Sequence, residues 1–233
     1  MEALKIDVDS LQERVSRISN GTILSKAGLE EVLPLAGSWI AGRDELLQWS
    51  EGAPIESRNR PQIEFKAPLR RIGQSEGPSQ ANLLVLHSIA TPIDRASFTK
   101  PWEVDTKRTV ERYRRSILAT LQGAQSLLVG DPVSALSHYQ RALQETPDWQ
   151  WVAVNLEELF LRSARQGKEA FAQKVASELL KSPSFAHLGH YHLAVLSARA
   201  GRQEEAIENV QKALRAKADH GPSRELLSRL KPR

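Results

Sequence analysis

Three glycines constrain this chain more than any other feature. Gly130, Gly167 and Gly201 stand 37 and 34 residues apart, and each opens a stretch of the same layout. The stretches are GDPVSALSHYQRALQETPD (130–148), GKEAFAQKVASELLKSPS (167–184) and GRQEEAIENVQKALRAKAD (201–219). A helix-sized pattern spelled three times at nearly constant spacing predicts stacked copies of one unit, because a single copy cannot bury its own apolar side.

Each position in the pattern has a physical reason. Gly130 ends one helix, since a left-handed residue after the last turn carries no penalty when there is no Cβ. Asp131 then caps the next helix, and Pro132 fits its first turn, where no amide hydrogen is needed. Ala135, Tyr139 and Ala142 recur at helical spacing: the small residues let two helices approach and the aromatic fills the gap beside them. Pro147 closes the helix. The third stretch repeats this with Ala206, Val210 and Ala213, and the second puts Ala172, Ala176 and Leu179 in the same slots with Pro183 one residue early. Residues 149–166 and 184–200 carry apolar residues at i, i+3, i+4 and i+7, which predicts a partner helix for each unit. Residues 103–129 predict a long first helix, and PSRELLSRL (222–230) a short cap over the last apolar edge.

The spelling G-x4-A-x3-Y-x2-A-x4-P, complete in the first stretch, resembles the tetratricopeptide repeat family, whose unit is about 34 residues long. The resemblance implies a mainly α fold over residues 103–233: a right-handed helical solenoid of about three hairpins plus a capping helix. It also implies a concave groove, lined by the first helix of each hairpin, that takes an extended peptide or a helix from a partner protein. On that geometry the groove positions include Trp151, Glu158 and Arg162, with Tyr191 and Arg199 one repeat later. Arg162 and Arg199 are equivalent positions, so their two guanidinium groups would hold a carboxylate of the partner. The competing reading is that both are arginines near helix ends, favoured by the dipole and solvated.

The N-terminal third reads differently. LKIDVDSLQERV (4–15) alternates briefly and then turns helical after Asp9 or Ser10, either of which can cap. Residues 27–49 suggest two short helices broken around Pro34 and Gly42, with Trp39 and Trp49 as core anchors. PIESRNRPQIEFKAPL (54–69) is punctuated by Pro54, Pro61 and Pro68, and QIEFK alternates with period 2, which predicts a short strand with Ile63 and Phe65 inward. Across Gly52 to Arg71, and in the entry LKIDVDSL, the chain resembles the closing part of the spermidine-synthase-like proteins. The matching residues are Pro54, Arg60, Pro61, Glu64, Phe65, Ala67 and Pro68, while Glu56, Ser57, Arg58 and Asn59 replace the Asn-Thr-Asp portion of that motif. The resemblance implies three parts. Residues 1–75 are a small α+β tail segment lacking the nucleotide-binding sheet, 76–102 a linker with a short helix, and 103–233 the helical array. Members of that group attached to membranes often carry tetratricopeptide-like hairpins after the motif, so the resemblance admits a membrane-attached partner.

The transfer of an aminopropyl group needs a glycine-rich turn after a strand to hold the nucleoside and a carboxylate base for the attacking amine. No glycine-rich strand–turn–helix is spelled here, so no catalytic residue and no cofactor is expected on this chain. Two functions follow. The first is a non-catalytic interaction scaffold carrying the detached tail of a spermidine-synthase-like protein. The alternative is an accessory subunit or fragment of a polyamine aminopropyltransferase-like enzyme whose catalytic domain lies on another chain, with Arg60 and Glu64 shaping its site.

Composition narrows the remaining classes. The chain has 233 residues, 40% of them hydrophobic and 26% charged, and no cysteine, which excludes disulfides and thiolate metal sites. No apolar run reaches the roughly 18 residues that cross a bilayer, and MEALKIDVDSLQERV lacks the basic start and apolar core of a secretory signal. The expected location is therefore the cytoplasm, with membrane association through a partner. The net charge of +4 is uneven: −5 over residues 1–57, +6 over 58–121 and +3 over 122–233. The basic middle, with KR (107–108) and RYRR (112–115), carries no recognition motif, so a solvated face is the preferred reading and no nucleic acid is expected. HLGHYH (187–192) offers three imidazoles. On one helix His187 and His190 share a face and His192 points about 200° away from His190, with no carboxylate at helical spacing, so packing is preferred over a metal. The pairs Glu30/Glu31, Glu157/Glu158 and Glu204/Glu205 read as solvated faces, and no G-x-S-x-G elbow is present.

Overall fold

A computed structural model describes residues 8–18, 32–37, 48 and 104–230. Among these residues the structure is helical, with no strand. Two N-terminal helices, α1 (Val8–Ile18) and α2 (Val32–Gly37), precede a continuous series. The series runs α3 (Val104–Leu128), α4 (Pro132–Glu145), α5 (Gln150–Arg165), α6 (Glu169–Leu179), α7 (Ala186–Arg199), α8 (Gln203–Ala216) and α9 (Gly221–Leu230). From α3 onward each helix packs on the next, and α3 also touches α5 and α7 touches α9. The N-terminal part joins the series through α2, which packs on α3, while α1 packs on α2.

The three glycines make the three tight reversals from α3, α5 and α7. They adopt φ of 80°, 71° and 74°, the left-handed region open to glycine. Around each, the same two bonds tie off the helix end. The amide of Asp131 donates to Ser126 O (2.8 Å) and that of Gly130 to Leu127 O (3.2 Å). Lys168 and Arg202 repeat the longer reach, to Ser163 O (3.0 Å) and Ser197 O (2.9 Å). Each of these serines also bonds its own helix four residues back, Ser126 to Gln122 O, Ser163 to Leu159 O and Ser197 to Leu193 O. A serine four residues before each turn glycine is thus a second element of the repeat, one that the apolar pattern does not reveal.

The starts of the second helices differ. Asp131 caps α4 through Ser134 N at 3.0 Å, as its type and place predict. Lys168 and Arg202 hold the same place before α6 and α8 and make no side-chain cap bond. The end of α4 is tied off by α3 as well as by Thr146, whose amide and hydroxyl both donate to Ala142 O. Arg112 donates to Glu145 O (3.0 and 2.7 Å), and Ser116 Oγ donates to Ala142 O (3.1 Å) and lies 2.6 Å from Thr146 Oγ1. These side chains satisfy carbonyls that a helix end otherwise leaves to water.

The core runs through the series. Ala135, Tyr139 and Ala142 of α4, Ala172, Ala176 and Leu179 of α6, and Ala206, Val210 and Ala213 of α8 are all buried. Those of α4 and α6 share one core cluster with Val152, Leu156, Leu159 and Phe160 of α5. Gly123 and Gly189 leave no room for a side chain: Tyr139 lies against the first, Leu180 and the carbonyl of Ala176 against the second.

Two N-terminal expectations are corrected. Helix α1 is already formed at Val8, so Asp9 and Ser10 lie inside its first turn and neither holds the N-cap position. Pro34 does not break a helix. It is buried at the third residue of α2, where its missing amide hydrogen has no partner to lose. Gly42, Trp39, Trp49, the strand expected at 62–66, the residues Arg60, Pro61, Glu64, Phe65 and Pro68, and the linker 76–102 lie outside the described residues.

Candidate functional site

The five positions read as a groove fall on α5 and α7. Trp151, Glu158 and Arg162 are separated by seven and four residues, which keeps them on one stripe of α5. Trp151 is half-buried, with its ring 5.2 Å from that of Trp149, whose own ring meets Tyr113 of α3 edge-on at 5.3 Å. Glu158 is exposed and Arg162 half-buried in the last turn. Beside this stripe two large apolar side chains face outward, Val154 at 44% exposure and Leu161 at 38%. Arg199 is exposed in the last turn of α7.

Tyr191 belongs to a different arrangement. It is half-buried among rings, 5.4 Å from His192 and 5.3 Å, edge-on, from His220 at the start of α9. His220 also meets His187 edge-on at 5.1 Å. His192 stacks on Phe160 of α5 at 4.1 Å, and its Nε2 lies 3.1 Å from Glu157 Oε1, also on α5. Helices α5, α7 and α9 therefore meet through one seam of aromatic and imidazole rings. Burial raises the Tyr191 phenol above its ordinary value and pushes the His187 and His220 imidazoles down.

Reading the sequence along a single helix missed this seam, because its partners come from different helices. Glu157 precedes His192 by 35 residues, close to one repeat. That offset is the signal that would have found it, since residues one repeat apart lie on corresponding helices. The three histidines of 187–192 go to three neighbours: His187 to His220, His192 to α5, and His190 to Asn209 on α8. Burial on the α8 side lowers the His190 imidazole as well. Among the described residues no group of three or more His, Asp or Glu side chains is arranged to hold a metal ion. His220 Nδ1 lies 2.7 Å from Ser223 Oγ, but Ser223 is fully buried three residues into the turn of α9, so its hydroxyl is a structural partner and not an exposed nucleophile.

The basic run of α3 is largely engaged within the molecule. Arg115 makes two bonds to the Glu145 carboxylate, both 2.9 Å, beside Arg112 on the Glu145 carbonyl. Arg108 lies 3.4 Å from Asp105, and Arg114 is buried. Among the described residues no helix is long and apolar enough to cross a membrane. No protein-family model and no curated protein matches the chain.

Proposed function

We propose that this chain is a non-catalytic protein–protein interaction scaffold of tetratricopeptide type, acting in the cytoplasm. In this reading α3, α5, α7 and α9 are the inner helices of a right-handed solenoid. Their shared face is the groove, and Trp151, Glu158, Arg162, Tyr191 and Arg199 contribute to it. The observation that carries the reading is the pairing of a repeated turn with an inner layer. Three glycine turns of one geometry generate helix pairs, and contacts also join α3 to α5 and α7 to α9. A row of such helices with apolar side chains left outward on α5 is the arrangement a helical stack uses to hold a peptide. Arg162 and Arg199, at the ends of two successive inner helices, suit an acidic group on that peptide.

The test uses the full chain as bait in native lysate. Val154→Arg and Arg162→Glu on the inner face should each release the main bound protein, while Lys174→Glu and Gln211→Glu on the outer helices should retain it. Retention by both inner-face variants would refute the groove.

A second reading rests on the Gly52–Arg71 motif: an accessory subunit of an aminopropyltransferase-like enzyme, docked on a catalytic chain that is itself attached to a membrane. It predicts co-purification with a protein carrying a nucleotide-binding sheet, and aminopropyl transfer by the complex that neither chain performs alone.

A further inference from the structure

Helix α9 is the least anchored element at the C-terminal end of the series. Ser223 is its one fully buried residue, and Leu226, Leu227 and Leu230 are only half-buried against α8. A bond from Gln203 Nε2 to Leu230 O (2.7 Å) ties its far end. Its near end is held by His220, seated edge-on against both His187 and Tyr191 and bonded to Ser223. Elements with so little buried apolar surface sit at the low end of local stability.

We propose that α9 is an acid-released cap: protonation at the His187–His220 ring contact detaches α9 from α7 and uncovers Tyr191 and the inner edge of the last helix pair. The inference stands whether or not that inner face binds a peptide.

Burial is the main reason a proton is not accommodated, and the charges around the contact do not offset it. From α5, Glu157 is the carboxylate that reaches toward it, and its Oε1 is already engaged with His192. From α7 come His187 itself, His192 and Tyr191. From the α8–α9 turn, Lys217 opposes a positive charge on either imidazole, and Asp219 offsets it at His220 alone. On α9, Glu225 and Arg229 lie toward Tyr191 and act on it in opposite directions. Two imidazoles with ring centres 5.1 Å apart cannot both be charged without repelling each other.

The direction follows from burial, which lowers both imidazoles in the closed state. Once α9 leaves, they regain the ordinary value of about 6.5. At pH 7.5 both states are neutral and α9 stays closed. As the pH falls through about 6.5 the open state takes up protons that the closed state refuses, so opening is favoured until the closed state titrates too. A histidine that stays neutral when closed favours opening by about 1.1-fold at pH 7.5 and about 11-fold at pH 5.5. Two such residues raise the open population by up to about 100-fold across that interval.

Hydrogen exchange on the full chain at pH 7.5 and 5.5, corrected for intrinsic rates, reads this opening directly. Amides of residues 224–230 should lose protection by up to about 100-fold, while those of α4, remote from the contact, change little. In His220→Gln the loss should fall to about 10-fold, and in His187→Gln/His220→Gln it should vanish. His190 titrates at the α7–α8 seam, near Lys212 and Arg215, and remains in both variants as an internal control. If a variant fails to fold, the wild-type chain still decides: the His187 and His220 ring protons must shift over the same pH range in which α9 opens. An α9 response no larger than that of α4 would overturn the proposal. So would imidazoles that charge while α9 stays protected, or a double variant that keeps the full response.

Discussion

Replacing Gly123 by alanine tests how closely the first helix pair is fitted. Gly123 lies in the middle of α3, where Tyr139 of α4 lies against its backbone. A Cβ there would stand 2.3 Å from Tyr139 Cε1, 2.7 Å from Cδ1 and 2.9 Å from Cζ. Comfortable carbon–carbon separations are about 3.5–4.0 Å, so the ring must withdraw by roughly an ångström. It has little room to do so, being 1% exposed in the same core cluster as Ile117, Ala119 and Leu143. On an open helix face, glycine to alanine gains about 1 kcal/mol from helix propensity. Overpacking a fitted core costs about 1–3 kcal/mol. We therefore expect Gly123→Ala to lower stability by about 1 kcal/mol, against the trend of its propensity. In a Tyr139→Leu background the obstructing ring atoms are gone and the same change should stabilise by up to about 1 kcal/mol. The coupling between the two sites is then about 2 kcal/mol, readable from urea midpoints followed by far-ultraviolet circular dichroism. A stabilising Gly123→Ala in the native background, or an equal effect in both backgrounds, would refute the packing argument.

Three further outcomes follow from local chemistry. Gly167→Ala should cost about 1–2 kcal/mol in the same urea assay through its left-handed backbone alone, because a Cβ there meets nothing within 4 Å. Lys168→Asp should add about 1 kcal/mol, since it places a capping acceptor where α6 has none. The hydrogen bond from Arg115 holds the Glu145 carboxyl below its ordinary value. Its stabilisation, at most about 1 kcal/mol for a partly exposed pair, is complete above the ordinary carboxylate range and lost as the pH falls through the lowered value. Glu145→Gln should therefore be the less stable protein near neutrality and converge on the wild type in acid, as measured by thermal melts across pH.

What the sequence disclosed and what it hid divide along chain separation. The left-handed glycines, the Asp131 cap and the buried Ala135/Tyr139/Ala142 stripe are each set by residues within one turn or two, so spacing alone finds them. Apolar residues at i, i+3, i+4 and i+7 likewise located α5 and α7 to within two residues of their ends. Pro34 was misplaced because proline disrupts a helix interior but not a first turn, and the difference depends on where the helix begins. The basic run 107–115 read as a charged face, yet Arg112 and Arg115 reach across 33 and 30 residues to the end of α4. The Glu157–His192 contact and the His187–His220 pair likewise join different helices. Their partners are visible only once the repeat offset is used as a ruler between corresponding helices.

Binding of a partner on the inner helices underlies the proposed function. Placing a photo-crosslinking residue at Val154 or Val195 on those helices, and at Lys174 or Gln211 on the outer ones, tests it most directly in the full chain. If partners bind there, one protein is captured in common from 154 and 195 and not from 174 or 211. Capture from the outer positions alone, or equally from all four, would contradict it.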